Sequence, residues 1–469
     1  MSYTNGLDKP TDYFNTKIFT GNNSANNSIT GIGFQPDWIW FKNRNAANDH
    51  ALVDSVRGRK ALSSNNNSAE LTLNADKDFQ SFDSDGFTVD VVEQLNSFNK
   101  SGDSIVTWNW KAGGSAPAIT YNVKVVSDSG NKYRFDDFGT SAVTLDLQEG
   151  GTYTFDQSDS SNSGHPLRFS TTSDGTHGGG SEYTTNVTTT GTPGSAGAKT
   201  VITVAASAPT LYYYCTQHSG MGGQANTNST FGSSNFGGSI QSNVSAGSTQ
   251  GFSIVSWTGT GSAITLGHGL TSKPEMIFIK NRDASQNWVV YNSYLSGTEG
   301  HKALYLDLNY AETDQTGFFN DTASTSSVFT VGSNGNTNNS GDDFISYCFH
   351  SVKSYSKFGS WLGSGNADGP FVHTGFSPSF IIGKNIDRED DWFMLDNKRD
   401  TFNPVDQRLQ PNSSGTESTV TSLGIDFCAN GFKLRGATNQ YNASGETIIY
   451  MAFAESPFVT STGIPTTAR

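Results

Sequence analysis

Gly33 to Arg44 reads GFQPDWIWFKNR: a turn-forming Gly and Pro, four apolar residues (Trp38, Ile39, Trp40, Phe41), then a polar stop at Lys42, Asn43 and Arg44. The pattern returns as KPEMIFIKNR from Lys273 to Arg282 and as GFSPSFIIGKN from Gly375 to Asn385. Spacing from Pro36 to Pro274 to Pro378 equals that from Lys42 to Lys280 to Lys384, so the register is held without a gap. A short apolar run bounded by turn residues reads as a buried strand, and a Pro, lacking the amide a central ladder needs, marks its start. Three such strands predict three copies of one unit.

The flanking sequence repeats with them. His50-Ala-Leu-Val-Asp54 is matched by Trp288 to Tyr291 and by Trp392 to Asp396, and turn-rich segments follow from Leu62 to Glu70, Leu304 to Glu312 and Leu409 to Glu417. Each copy closes on a Ser-Gly-acid turn ending in Asp103, Asp342 or Glu446. The strand that follows carries an aromatic at Trp110, Phe349 or Phe453. Many short strands with frequent turns predict an all-β chain of three tandem β-sandwich or jelly-roll repeats. The expected boundaries are an N-terminal arm at 1–13, repeats at 14–115, 250–354 and 355–460, and a C-terminal tail at 461–469. An inserted domain at 116–224 and a Gly/Ser/Asn linker at 225–249 separate the first repeat from the second.

Composition narrows the function. With 469 residues, more than one core is expected. The 51 Gly and 31 Phe suit short strands around aromatic cores. A net charge of −14 argues against a nucleic-acid partner, which needs a basic face. No apolar run approaches the length of a membrane span and the first residues lack signal-peptide character, so synthesis in the cytosol without membrane insertion is expected. Three cysteines do not make a closed disulfide framework. Neither a nucleophile elbow, a phosphate loop nor a paired-carboxylate site stands out, which predicts a protein that is not an enzyme.

Two groups of residues invite a functional reading. Lys42, Asn43 and Arg44, with Lys280, Asn281 and Arg282, either cap strand ends against acidic turns or line a glycan groove beside Trp40 and Trp288. The inserted domain ends in Cys215-Thr-Gln-His218-Ser-Gly-Met221 and carries His165 upstream. A thiolate, an imidazole three residues on and a thioether three further converge from one loop after a strand; a distant His completes a trigonal set with a weak axial Met. The alternative is a packed Cys with two surface His. His177, in a Gly-rich loop, is a second and more solvated candidate.

The Cys-x2-His-x2-Met loop resembles that of the cupredoxins, small blue-copper β-sandwiches. That resemblance implies copper held by Cys215, His165 and His218 with Met221 axial. The stretches GFSIVSWTGTG, HGLTSKPEMIFIKNR, SYSKFGSWLGSGNADGPFVHTGFSPSF and SGETIIYMAFAESPF resemble the tail-fibre and related structural proteins of tailed bacteriophages, especially those of marine hosts. This implies a virion protein on the outside of the particle, commonly a host-recognition adhesin. Its implied partners are other virion proteins and a host-surface glycan or receptor, with association as a trimer. Placement on the capsid, as a fibre or decoration protein, is the alternative within that class. A copper electron-transfer protein and a glycan depolymerase are the alternatives outside it.

Overall fold

The computed structural model describes residues 7–466. It is all-β, with helix confined to single turns such as Thr316–Phe319 and Asn439–Asn442. The chain divides into a larger unit (1–112, 247–264 and 270–469) and a smaller one (113–246 and 265–269).

In the larger unit, the three apolar runs each lie third among four antiparallel strands in the same spatial order. The first set is Phe14–Thr20, Ser104–Trp110, Trp38–Asn43 and Ala51–Asp54. The second, the middle four of an eight-stranded sheet, is Phe252–Thr258, Asp343–Phe349, Met276–Asn281 and Val289–Asn292. The third is Ser356–Leu362, Thr447–Pro457, Phe376–Asn385 and Phe393–Asp396. Register agrees as well. Trp38, Met276 and Phe380 pair on one side with Trp110, Phe349 and Phe453, and on the other with Asp54, Asn292 and Asp396. Pro36 and Pro274 precede their strands, whereas Pro378 falls inside its strand, where a bulge between Ser377 and Phe380 relieves the ladder of the missing amide.

The runs are apolar throughout because both faces of each sheet are covered. Trp38 and Trp40 face a central cluster, while Ile39 and Phe41 face an outer one with Phe79 and Phe87. In the third sheet Phe380 and Ile382 turn to the same central cluster and Ile381 to its own outer one. Rings from all three sheets meet at the centre: Trp38 stacks on Tyr347 at 4.3 Å, Trp110 lies 5.7 Å from Phe453, and Phe349 lies 6.2 Å from Phe453. The expected tandem sandwiches therefore do not keep separate cores. Sharing one aromatic centre covers the second face of every sheet.

Two further expectations change. Residues 1–6 of the expected arm lie outside the described residues, but from Leu7 the chain is tied down: the Leu7 amide donates to the Lys353 carbonyl, and Asp8 accepts from the amide and hydroxyl of Ser461. Of the expected tail, 467–469 lie outside the described residues. The expected linker is folded, with strands at Gly223–Asn228, Ser233–Asn235 and Ser242–Gly247 and Phe236 in the core of the smaller unit. Its small polar residues suffice because a ladder is built from backbone groups, with Ala225 paired to both Leu145 and Leu211.

Candidate metal centre

The strand-end motif proves to be internal. Trp40, Lys42, Asn43, Lys280, Asn281 and Trp288 are fully buried, so no glycan groove exists along them. Each Asn amide donates to the acid of the closing turn: Asn43 to Asp103 at 2.7 Å, Asn281 to Asp342 at 2.8 Å, Asn385 to Glu446 at 2.7 Å. Lys42 donates to the carbonyls of Asn43, Asn48 and Ser414, and Lys280 to those of Asn281 and Asn67. Burial lowers Lys42, Lys280 and Lys384 to about 8, so each is still mainly an ammonium at neutral pH. Arg44 and Arg282 form ion pairs with Glu417 and Glu70 of the neighbouring segments.

These contacts close a ring. Equivalent ring nitrogens of His50, Trp288 and Trp392 donate to the carbonyls of Gln410, Ser63 and Tyr305, each in the next segment around. The amides of Glu70, Glu312 and Glu417 donate to the carbonyls of Arg282, Ile386 and Arg44. Strand-end capping, the first of the two roles open to the motif, is what the geometry carries out, but between segments as well as within them.

The smaller unit does assemble its predicted residues. Strands Leu167–Ser170 and Leu211–Cys215 pair antiparallel with Leu167 opposite Cys215, which brings His165 beside the thiol. Cys215 Sγ lies 3.9 Å from His165 Nδ1 and 3.8 Å from His218 Nδ1, and the three ligand atoms fall within 4.8 Å of one another. Metal bonds of about 2.3 Å to sulfur and 2.0–2.1 Å to imidazole, in one plane, place S and N roughly 3.8 Å apart. The donor atoms are thus spaced for one ion in a trigonal plane, with a thiolate and two imidazoles suited to copper or zinc. Cys215 is buried, His165 half-buried and His218 exposed, so one side opens to solvent. Met221 is buried in the same core cluster as Cys215.

Supporting contacts hold the ligands in place. The His165 carbonyl accepts from Tyr133 Oη at 2.9 Å and Gln157 Nε2 at 2.8 Å, while Gln157 Oε1 accepts from the Leu167 amide. Burial, and the neighbouring His218, lower His165 below the usual imidazole range, which favours the neutral form that binds metal. His177 is exposed, in keeping with its Gly-rich loop. Its Nε2 donates to the Cys215 carbonyl at 3.0 Å, making it a brace for the strand end. Tyr133 and Gln157 were not legible beforehand, because nothing in their local sequence sets them apart.

Among the described residues no helix is long and apolar enough to cross a membrane. No curated protein and no solved structure matches the chain. Residues 9–134 and 172–457 match a family described as Domain of unknown function (DUF7483). The matched part contains Cys215, His218 and Met221, while His165 lies in the unmatched stretch. With most of its length so matched, the chain belongs to the DUF7483 family.

Proposed function

We propose that the chain is a structural component of a tailed-phage virion, a tail fibre or adhesin that attaches to a host-surface glycan or receptor by binding, without catalysis. Resemblance of the repeated stretches motivates this reading. The observation that carries it is the use made of the repeated Lys-Asn-Arg residues, whose polar groups are consumed in fastening one sheet to the next. A motif spent on rigidity builds a scaffold for display. Partners in this reading are other virion proteins and the host surface, with assembly as a homo-oligomer, a trimer by resemblance. Mass spectrometry of purified particles together with antibody labelling in the electron microscope tests it. Label at the tail supports a fibre, label over the capsid moves the protein to a capsid fibre or decoration role, and absence from particles refutes the reading.

The Cys215 cluster favours a second, compatible role. No cofactor is required for the scaffold, but the smaller unit would be able to hold one copper ion on His165, Cys215 and His218, with Met221 buried in the same core cluster as Cys215. Bound there, copper would supply one-electron redox chemistry. The chain's own part is to hold one sulfur and two imidazole nitrogens within reach of a single ion.

A further inference from the structure

The loop that carries Cys215 and His218 is held at both of its ends by one short turn. Residues 215–220 leave the strand Leu211–Cys215 as six residues with no sheet partner of their own, and such a stretch keeps one shape only where its backbone groups are bonded. The turn is a single helical one, Gly175–Gly178, entered through Asp174 and lying just beyond the strand Leu167–Ser170. Asp174 Oδ1 accepts from the Gly220 amide at 2.8 Å, which fixes the far end of the loop. His177 Nε2 meets the Cys215 carbonyl at 3.0 Å and fixes the near end; a carbonyl only accepts, so this nitrogen carries the proton. His218 lies between the two. The Lys132 ammonium donates to the Gly220 carbonyl, so both backbone groups of Gly220 are taken by charged side chains.

These contacts depend on how closely the turn lies on the strand. Asp174 and Gly175 both adopt the left-handed region, at φ 57° and 54°. A Cβ at Gly175 would stand 2.5 Å from the ring of Tyr214, the residue before Cys215, so glycine alone allows this approach. The turn is closed by its own backbone: the amides of Gly175, His177 and Gly180 donate to the carbonyls of Thr172, Asp174 and Gly175. Asp174 and His177 are thus presented from a fixed frame. His177 is exposed and Asp174 and Lys132 are half-buried, so their side chains contribute little to the core.

We infer that Asp174 and His177, with Lys132, are positioning residues for the metal ion: they hold the ligand loop in its binding shape before an ion arrives. The inference rests on the copper reading above and adds the residues outside the ligand set that keep its geometry. Ordering the loop in advance removes that cost from binding, and partners of this kind are typically worth about 10–100-fold in metal affinity.

The test titrates the full chain with copper(II) against a competing chelator and follows amide hydrogen exchange in the metal-free chain. Asp174→Ala and His177→Ala should each weaken copper binding at least tenfold, and Asp174→Ala should speed exchange of the Gly220 amide without metal. Asp174→Asn and His177→Gln, which keep the acceptor and the donor, should restore affinity to within about threefold. Thr188→Ala, at an exposed position of the strand Val187–Thr190, should change nothing. Undiminished affinity and an unshifted thiolate band in both alanine variants overturn the inference and leave the copper reading standing. Weakened binding that follows a lower melting temperature and is not restored by Asn or Gln assigns these residues to stability alone and overturns it too. A parent chain that gives no thiolate band with copper removes the copper reading and the inference with it.

Discussion

Arg282 holds Glu70 through two parallel hydrogen bonds, Nε to Oε2 at 2.8 Å and Nη2 to Oε1 at 2.9 Å, joining the second segment of the larger unit to the first. Glu70 also meets Arg57 and Lys60, each at 3.0 Å. One carboxylate thus gathers three cations at a seam between sheets.

That gathering makes the larger unit acid-sensitive in a defined window. Burial alone would raise Glu70, but hydrogen bonding to Arg282 and the charges of Arg57 and Arg282 outweigh it and hold it at about 2. Between about 2 and the ordinary value of 4.5, the unfolded chain carries more protons than the folded one. Stability is therefore full above 4.5 and falls as pH drops towards 2, by ~3 kcal/mol at most. Urea midpoints measured at pH 5 and pH 2.5 should differ less in Glu70→Gln than in the parent; an equal difference refutes the assignment.

Asp54 and Arg57 form a fully buried pair at 2.5 Å, and Tyr347 from the second segment donates to Asp54 at 2.7 Å. Asp396 and Arg399 repeat the pair, with Trp108 as the outside donor. In the second segment the same register positions hold Asn292 and Leu295, and the position matching Tyr347 and Trp108 is Met451 in the third. Arg57→Leu should cost about 3–5 kcal/mol, because it strands a buried carboxylate. The triple change Asp54→Asn, Arg57→Leu, Tyr347→Met, which copies the apolar version, should cost less than that single change. Guanidinium titration decides between them.

Metal binding should be visible directly. One equivalent of copper should give a thiolate charge-transfer band in the visible, abolished in Cys215→Ser and in His165→Ala. At a hundredfold excess over Kd the ion stabilises the smaller unit by about 2.7 kcal/mol, so its melting should shift upward by calorimetry. A band that survives Cys215→Ser rules out this centre.

Lys42→Met should destabilise by about 2 kcal/mol, since it leaves the half-buried carbonyls of Asn48 and Ser414 without their donor. It should leave sugar binding untouched. Loss of binding without loss of stability would restore the groove that burial of the motif excludes.

Much of this was legible in the chain. Apolar runs between Pro and Lys-Asn read correctly as buried strands, and the Ser-Gly-acid turns proved to supply the carboxylates that Asn43, Asn281 and Asn385 require. That Cys215, His218 and His165 lie together was legible, because loop spacing and strand pairing bring them to one place. Other features were not. Lys42 and Arg44 look like surface residues, since charge near a turn is ordinarily solvated. A Gly/Ser/Asn stretch looks unstructured, although backbone ladders need no large side chains.

Periodicity and short-range spacing were enough to place the apolar strands, their turns and the loop that carries Cys215 and His218. Tertiary packing alone settles that three sheets share one aromatic centre, that the repeated lysines face inward, and that the Tyr450 ring fills the space over Gly359. Those outcomes depend on which faces meet across hundreds of residues, where burial and the need to satisfy every buried donor outweigh local preference.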